Sequence, residues 1–151
     1  MENFQRAGAV SNAHVGRDFE AAAMHALERA GIRVVKDYPV EVGVAGVRKR
    51  HIFDLGADDP PTIVECKSHR WTAGGNVPSA KMTVWNEAMY YFACAPIQFR
   101  KILFVLRDVR ARTDETLAEY YVRTYGHLIP PKVEIWEFDE TTGDARVMHG
   151  P

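Results

Sequence analysis

Three charged residues lie within two short apolar segments of the chain. The segment "HIFDLGA" carries Asp54, and the segment "TIVECKS" carries Glu65 and Lys67. Both segments have the apolar, β-branched composition of buried strands. An ionised carboxylate or ammonium group is costly to remove from water unless it is paired or binds a metal. These three residues therefore mark a candidate site for chemistry.

Strand geometry predicts how these side chains are arranged. Alternate residues of a strand share a face, so Glu65 and Lys67 point the same way. A turn of roughly half a dozen residues between the two strands brings Asp54 next to Glu65. Two neighbouring carboxylates raise each other's pKa, and a divalent cation relieves their repulsion. Because oxygen ligands select hard cations, the sequence predicts a Mg²⁺ site in which Mn²⁺ can substitute.

The same arrangement suits phosphodiester hydrolysis. A metal ion held by Asp54 and Glu65 lowers the pKa of a bound water and neutralises charge on a phosphate oxygen. Lys67 beside it can orient that water or stabilise the charge of the transition state. The alternative is a structural network of ion pairs on a half-exposed sheet.

The pattern D-x10-E-x-K on paired strands, preceded by a helix carrying "GRDFE", resembles the PD-(D/E)XK nuclease superfamily. The resemblance implies an α/β fold with a restriction-endonuclease-like core, in the order α-β-β-β-α-β, over about residues 14–107. It also implies that Asp54 and Glu65 bind the metal, that Lys67 assists the attacking water, and that Glu20 completes the metal shell. All four would be catalytic residues. Phe53 stands where the motif's name places proline.

Helix geometry gives a separate reason to consider Glu20. With about 100° per residue, Glu20 falls at the edge of the apolar face that Phe19, Ala23 and Leu27 form. From that edge the carboxylate can reach the sheet. The alternative is a solvated residue on the flank of the helix.

The elements that must position these residues follow from the hydrophobic periodicity. We predict a first helix at 14–30 and two strands within 32–57 that join near Ala45 and Gly46. A third strand at 62–68 precedes a second helix at 80–95, which Ser79 caps and whose core stripe includes Trp85. A strand at 101–107 is buried on both faces, and a third helix begins after Thr113. A strand from 132 and an edge strand complete one domain, 1–151, with a mixed sheet flanked by helices.

The loop "SHRWTAGGNVPSAK" connects the third strand to the second helix, so it should lie over the site. Its basic residues can meet phosphates, its tryptophan can stack on a base, and its helix start can attract an anion. The alternative is an ordinary polar loop with a half-buried tryptophan. The candidate nucleic-acid contacts are Arg48, Arg50, His69, Arg70, Trp71, Ser79 and Lys81.

His51, close to Asp54 in the same strand, receives a weaker prediction. Along a regular strand Asp54 shares a face with Ile52, while Phe53 and Leu55 face the other way. His51 is then one step out of phase with Asp54, so we assign it no more than a possible DNA contact or a supporting role.

Composition limits the class of protein. The net charge is −1, so any nucleic-acid site must be a local basic patch. The two cysteines lack a metal-binding or redox spacing, and we expect both to be reduced and buried. No apolar run approaches the roughly 20 residues of a membrane span, and "MENFQRAGAV" lacks signal-peptide features. We expect a cytoplasmic protein with no membrane partner.

These observations favour a metal-dependent endonuclease that acts on DNA. The sequence does not distinguish restriction, homing, repair and junction-resolving enzymes. Cutting both strands favours a homodimer or larger assembly, with Trp85, Tyr90 and Tyr125 as candidate contacts. The rival prediction is a non-catalytic domain of the same fold that binds nucleic acid or another protein.

Overall fold

The computed structural model describes the backbone of residues 4–151 and the side chains of residues 16–151. It contains three helices, six strands and a short 3-10 turn at Gly126–Leu128. The helices are α1 (Phe4–Arg29), α2 (Ser79–Cys94) and α3 (Leu117–Tyr125). The strands are β1 (Val35–Val42), β2 (Lys49–Asp58), β3 (Pro61–Lys67), β4 (Arg100–Leu106), β5 (Val133–Asp139) and β6 (Asp144–His149).

The strands form one mixed sheet in the order β1-β2-β3-β4-β5-β6. Strands β3, β4 and β5 are parallel, and the other neighbours are antiparallel. Helices α2 and α3 make the two crossovers that parallel strands require. The predicted α/β class, mixed sheet and order of elements are thus confirmed, and residues 102–106 of central strand β4 are buried as expected.

Helices cover both faces of the sheet. On one face, Phe19 and Leu27 of α1 pack into a cluster with Val64 and Phe104. On the other face, side chains of α2 and α3 pack with the sheet in a larger cluster that includes Trp85, Phe92, Tyr121, Phe53, Ile63 and Leu103. Each face of the sheet therefore has its own core, and charged side chains on the central strands must lie near the strand ends.

Two helix starts differ from each other. The predicted cap at Ser79 is wrong, because α2 begins at Ser79 itself, its N-cap is Pro78, and no side chain caps it. Helix α3 instead begins with a capping box between Thr116 and Glu119. A serine before an apolar stripe predicts a cap, but the carbonyl of Pro78, one residue earlier, already accepts the first helical hydrogen bond, from the Met82 N–H.

Of the three aromatic residues predicted as subunit contacts, one is excluded. Trp85 is 0% exposed, because it belongs to the core stripe of α2, so the prediction that it contacts a second subunit is wrong. Tyr90 is 62% exposed. Tyr125 is half-buried and stacks on Tyr121 with ring centroids 5.3 Å apart.

Both cysteines, Cys66 and Cys94, are free, as expected. Cys94 is buried and Cys66 is half-buried. Among the residues that the structure describes, no helix has the length and apolar character that a membrane crossing requires.

Candidate active site

The site lies where β2 separates from β3. The two strands pair from Asp58 and Pro61 up to Leu55 and Val64. Beyond that point, the backbone N–H of Cys66 donates to Oδ2 of Asp54 at 2.7 Å. The Asp54 carboxylate therefore takes the place of a backbone acceptor and fixes the end of β3 against β2.

The alternation of β2 breaks at Asp54. Phe53 packs in the core beneath α2, whereas Leu55 packs in the core beneath α1. The prediction that both residues face the same way is therefore wrong. On β1, Asp37 lies between the residues that pair with Phe53 and Leu55, and its φ of 54° is left-handed. Both strands are irregular at the same level, so simple period-two alternation fails there.

Glu65 is the buried charge of the site. It is 7% exposed, and its Oε2 lies 3.2 Å from Nζ of Lys67. This contact confirms that Glu65 and Lys67 share a face. Burial raises the pKa of Glu65, the charge of Asp54 raises it further, and Lys67 and His51 oppose the shift. Two carboxylates are thus close enough to repel at the end of β3, as the sequence predicted.

His51 is a neighbour that strand alternation misses. Its Nε2 lies 3.4 Å from Oε1 of Glu65, and its ring stacks on Tyr91 of α2 with centroids 3.7 Å apart. Because the break at Asp54 changes the phase of β2, His51 comes onto the face of Glu65. Tyr91 borders the apolar stripe of α2, and nothing in the sequence singled it out.

Glu20 lies at the edge of the buried face of α1, as predicted, and is half-buried. Burial raises the pKa of Glu20, and the charge of Asp54 raises it next, while Lys36 opposes the shift. Glu20 approaches from the α1 side of the sheet, whereas Glu65 belongs to the α2 side. The charge of Asp54 raises the pKa of both glutamates.

Asp54 and Glu65 are the residues that could hold a hard divalent cation at this site. Glu65 is a desolvated oxygen donor, and a cation would relieve its repulsion with Asp54. Within residues 16–151, no three His, Cys, Asp or Glu side chains form a group that could hold a metal ion. Mg²⁺ commonly binds through one or two carboxylates and keeps its remaining waters, so two ligands suffice. The role of Glu20 as a third ligand stays a prediction.

Three residues predicted to contact nucleic acid are engaged within the protein. Trp71 is buried, and its backbone and indole N–H groups both donate to Asp108, so the prediction that its ring stacks on a base is wrong. His69 accepts a hydrogen bond at Nδ1 from the Trp85 indole. Burial, with Lys81 and Lys67 nearby, lowers the pKa of His69 to about 4, so its ring is neutral at pH 7. Arg70 is half-exposed and forms an ion pair with Asp108.

The remaining predicted contacts are on the surface. Arg48, Arg50, Ser79 and Lys81 are exposed. Arg50 of β2 is opposite Glu41 of β1 in the strand register. It lies at the end of β2 that is next to the end of β3. The surface around the site thus keeps basic groups that a polyanion can reach, although the tryptophan is not one of its contacts.

No family model, no curated protein and no solved structure matches the chain. The assignment of a function therefore depends on the residues and their geometry.

A second buried glutamate lies outside the site. Glu137 of β5 is 1% exposed, and both of its carboxylate oxygens lack a hydrogen bond of ordinary length within the described residues. Val105 of β4 pairs with Lys67 on one side and with Glu137 on the other. Glu137 therefore lies two strands away from Lys67, on the same face of the sheet. Burial raises the pKa of Glu137, and Arg146, 3.7 Å away, and the Thr116 side chain oppose the shift only in part.

We predict that Glu137→Gln stabilises the protein at neutral pH. The native state holds the Glu137 proton more tightly than the unfolded chain, so ionisation destabilises the fold as the pH rises above the ordinary carboxyl pKa. Removing the charge should raise the melting temperature at pH 7 by about 2 to 4 °C, which corresponds to ~1 kcal/mol. Below the ordinary carboxyl pKa the gain should disappear. A lower melting temperature at neutral pH would show that the carboxylate is satisfied.

Proposed function

We propose that this chain is a metal-dependent endonuclease that hydrolyses DNA phosphodiester bonds, built on a restriction-endonuclease-like core. The observation that carries the proposal is the buried carboxylate of Glu65, whose pKa is raised by burial and by Asp54 while Lys67 lies 3.2 Å away. Such clusters are costly to stability and concentrate at functional sites.

Each residue has a distinct role in this proposal. Asp54 and Glu65 would hold the divalent ion, which would supply an activated water and charge neutralisation on the phosphate. Lys67 places a positive charge beside the attacked phosphate and orients the water. His51 and the Cys66 N–H position Glu65 and Asp54, and Glu20 adds negative charge from the α1 side.

One observation favours the rival function, a non-catalytic domain that binds nucleic acid or a protein. Both oxygens of Glu65 are engaged, one by Lys67 and one by His51. A purely structural network of ion pairs has this form. The two functions differ in what Lys67 does, because a structural lysine supports folding whereas a catalytic lysine supports only hydrolysis.

Incubation of the purified protein with supercoiled plasmid, linear duplex and a branched junction tests the proposal. We expect cutting of at least one substrate with Mg²⁺ or Mn²⁺ and none with EDTA. The preferred substrate would identify the type of nuclease, because a resolving enzyme cuts the junction and a restriction enzyme cuts duplex at specific sequences. Binding of all three without cutting would support the rival function.

A second copy of the chain completes the proposal for double-strand cutting. One site cuts one strand, so two cuts require two sites, and a symmetric dimer supplies them. Tyr90, exposed on α2, is the candidate contact that the structure leaves accessible. A cytoplasmic location stays a prediction from composition.

A further inference from the structure

A cleft of about 390 Å³ lies between two loops that follow the parallel strands β3 and β4. Residues 70–75 of the first loop form one wall, and residues 108–112 of the second form the other. Its charged lining consists of Arg70, Asp108, Arg110 and Arg112. Three arginines against one aspartate leave an excess of positive charge, which favours an anionic ligand.

The single aspartate of the cleft is already compensated. Asp108 accepts from the Trp71 backbone N–H at 2.8 Å, and the Arg70 guanidinium lies 3.6 Å from its other oxygen. Arg70 also donates to Glu140 at 2.6 Å. Asp108 and Arg70 therefore fasten the two loops together, and the remaining arginines determine the charge offered to a ligand.

Arg110 and Arg112 are held in place with most of their donors unused. Nε of Arg110 donates to the Gly75 carbonyl at 2.7 Å, and its guanidinium carbon lies 4.7 Å from the centroid of the Trp71 ring. Arg112 donates to the Gly74 carbonyl at 3.3 Å. Across residues 16–151 neither arginine forms an ion pair with a carboxylate. A guanidinium has five N–H donors in a planar fork that matches phosphate oxygens.

The cleft is adjacent to the candidate active site. Lys67 ends β3, and Arg70 follows within about 10 Å of chain. Val105 of β4 pairs with Lys67, and the loop bearing Arg110 and Arg112 follows that strand. Both loops thus extend from the carboxyl ends of parallel strands, where open α/β sheets bind ligands. A nucleic-acid strand with one phosphate beside Lys67 would bring its neighbouring phosphates to this cleft.

We propose that this cleft binds backbone phosphates that flank the scissile one, with Arg110 and Arg112 as the phosphate-binding residues. The inference rests on the proposed nuclease function for the identity of the polymer. Neither arginine stood out in the sequence, because both lie 40 or more residues after Lys67 and only the fold of the two loops brings them beside it.

The test measures the affinity of the full chain for a fluorescently labelled duplex DNA by anisotropy, in EDTA, at salt concentrations from about 50 to 200 mM. We expect Arg112→Ala to weaken binding roughly five- to tenfold and to lower the slope of log affinity against log salt by about 0.9, the value for one lost phosphate contact. Arg112→Lys should recover most of the slope because it keeps the charge. Arg112 is exposed with one long hydrogen bond, so its loss should leave the fold intact.

Arg33→Ala is the matched control. Arg33 is exposed just before β1, at the end of the sheet opposite the cleft, and its removal changes the net charge equally. Equal affinity and slope for the two alanine variants would overturn the proposal, as would wild-type protein that does not bind duplex DNA. If Arg112→Ala reduces the slope but the wild-type protein never cuts DNA, the phosphate-binding cleft is supported and the nuclease function is contradicted. If the wild-type protein cuts DNA but Arg112→Ala leaves the slope unchanged, the nuclease function is supported and the phosphate-binding cleft is contradicted.

Discussion

The Glu65→Gln variant should lose metal-dependent DNA cleavage by about 10³-fold and should nevertheless melt at a higher temperature than the wild-type protein at neutral pH. Glutamine keeps an oxygen that can accept from Lys67, but it removes the charge that would hold the cation. Burial and Asp54 raise the pKa of Glu65 in the folded protein, so the unfolded chain releases this proton more readily. A carboxylate whose folded pKa is raised contributes instability that grows as the pH rises from its ordinary value through the raised one.

The stabilisation in Glu65→Gln should therefore depend on pH. It should be greatest at pH values above the raised pKa of Glu65 and absent below the ordinary carboxyl pKa, where both forms are neutral. Thermal melts across that range, with cleavage measured on the same samples, test the prediction. Glu137→Gln is the matched control, because it removes a buried glutamate from the same face and should stabilise the fold without changing cleavage. If Glu65→Gln lost cleavage and also melted at a lower temperature than the wild-type protein, Glu65 and Lys67 would form a structural ion pair.

Asp54→Asn and Asp54→Ala should both lose cleavage, again by about 10³-fold, but they should differ in stability. The asparagine variant keeps an oxygen that can accept from the Cys66 N–H, whereas the alanine variant leaves that donor unpaired near the end of β3. An unpaired, part-buried donor costs about 1–3 kcal/mol, so Asp54→Ala should melt several degrees below Asp54→Asn.

Calorimetry with Mn²⁺ measures separately how much the charge of Asp54 contributes to metal affinity. Both variants should bind the ion more weakly than the wild-type protein, because both remove one of the two proposed carboxylate ligands. Cleavage by Asp54→Asn at the wild-type rate would exclude Asp54 as a metal ligand. Equal melting temperatures for the two variants would show that the hydrogen bond to Cys66 contributes little.

The order of elements and the three central charges could be predicted because both depend on local sequence. Apolar periodicity identifies β2, β3 and α2, and alternation along one short strand is enough to place Glu65 and Lys67 on one face. The edge position of Glu20 follows in the same way from helix geometry.

The remaining features depend on contacts between distant segments. His51 reaches Glu65 only because β2 is irregular at Asp54, opposite a left-handed residue of β1, and no pattern within β2 shows this. Trp71 is buried because Asp108, 37 residues later, accepts both of its N–H groups. In a single sequence, a tryptophan in a glycine-rich loop is equally consistent with an exposed ring.

Cleavage of supercoiled plasmid by wild-type protein and by Lys67→Ala, purified identically and assayed in Mg²⁺ and in EDTA, tests the proposed nuclease site most directly. Lys67→Ala removes the charge that is proposed to lie beside the attacked phosphate and leaves the two proposed metal ligands in place. We predict metal-dependent cutting by the wild-type protein only, with both proteins folded and both binding the plasmid. Equal cutting by the two proteins, or cutting that persists in EDTA, would contradict the claim that Asp54, Glu65 and Lys67 form a metal-dependent nuclease site.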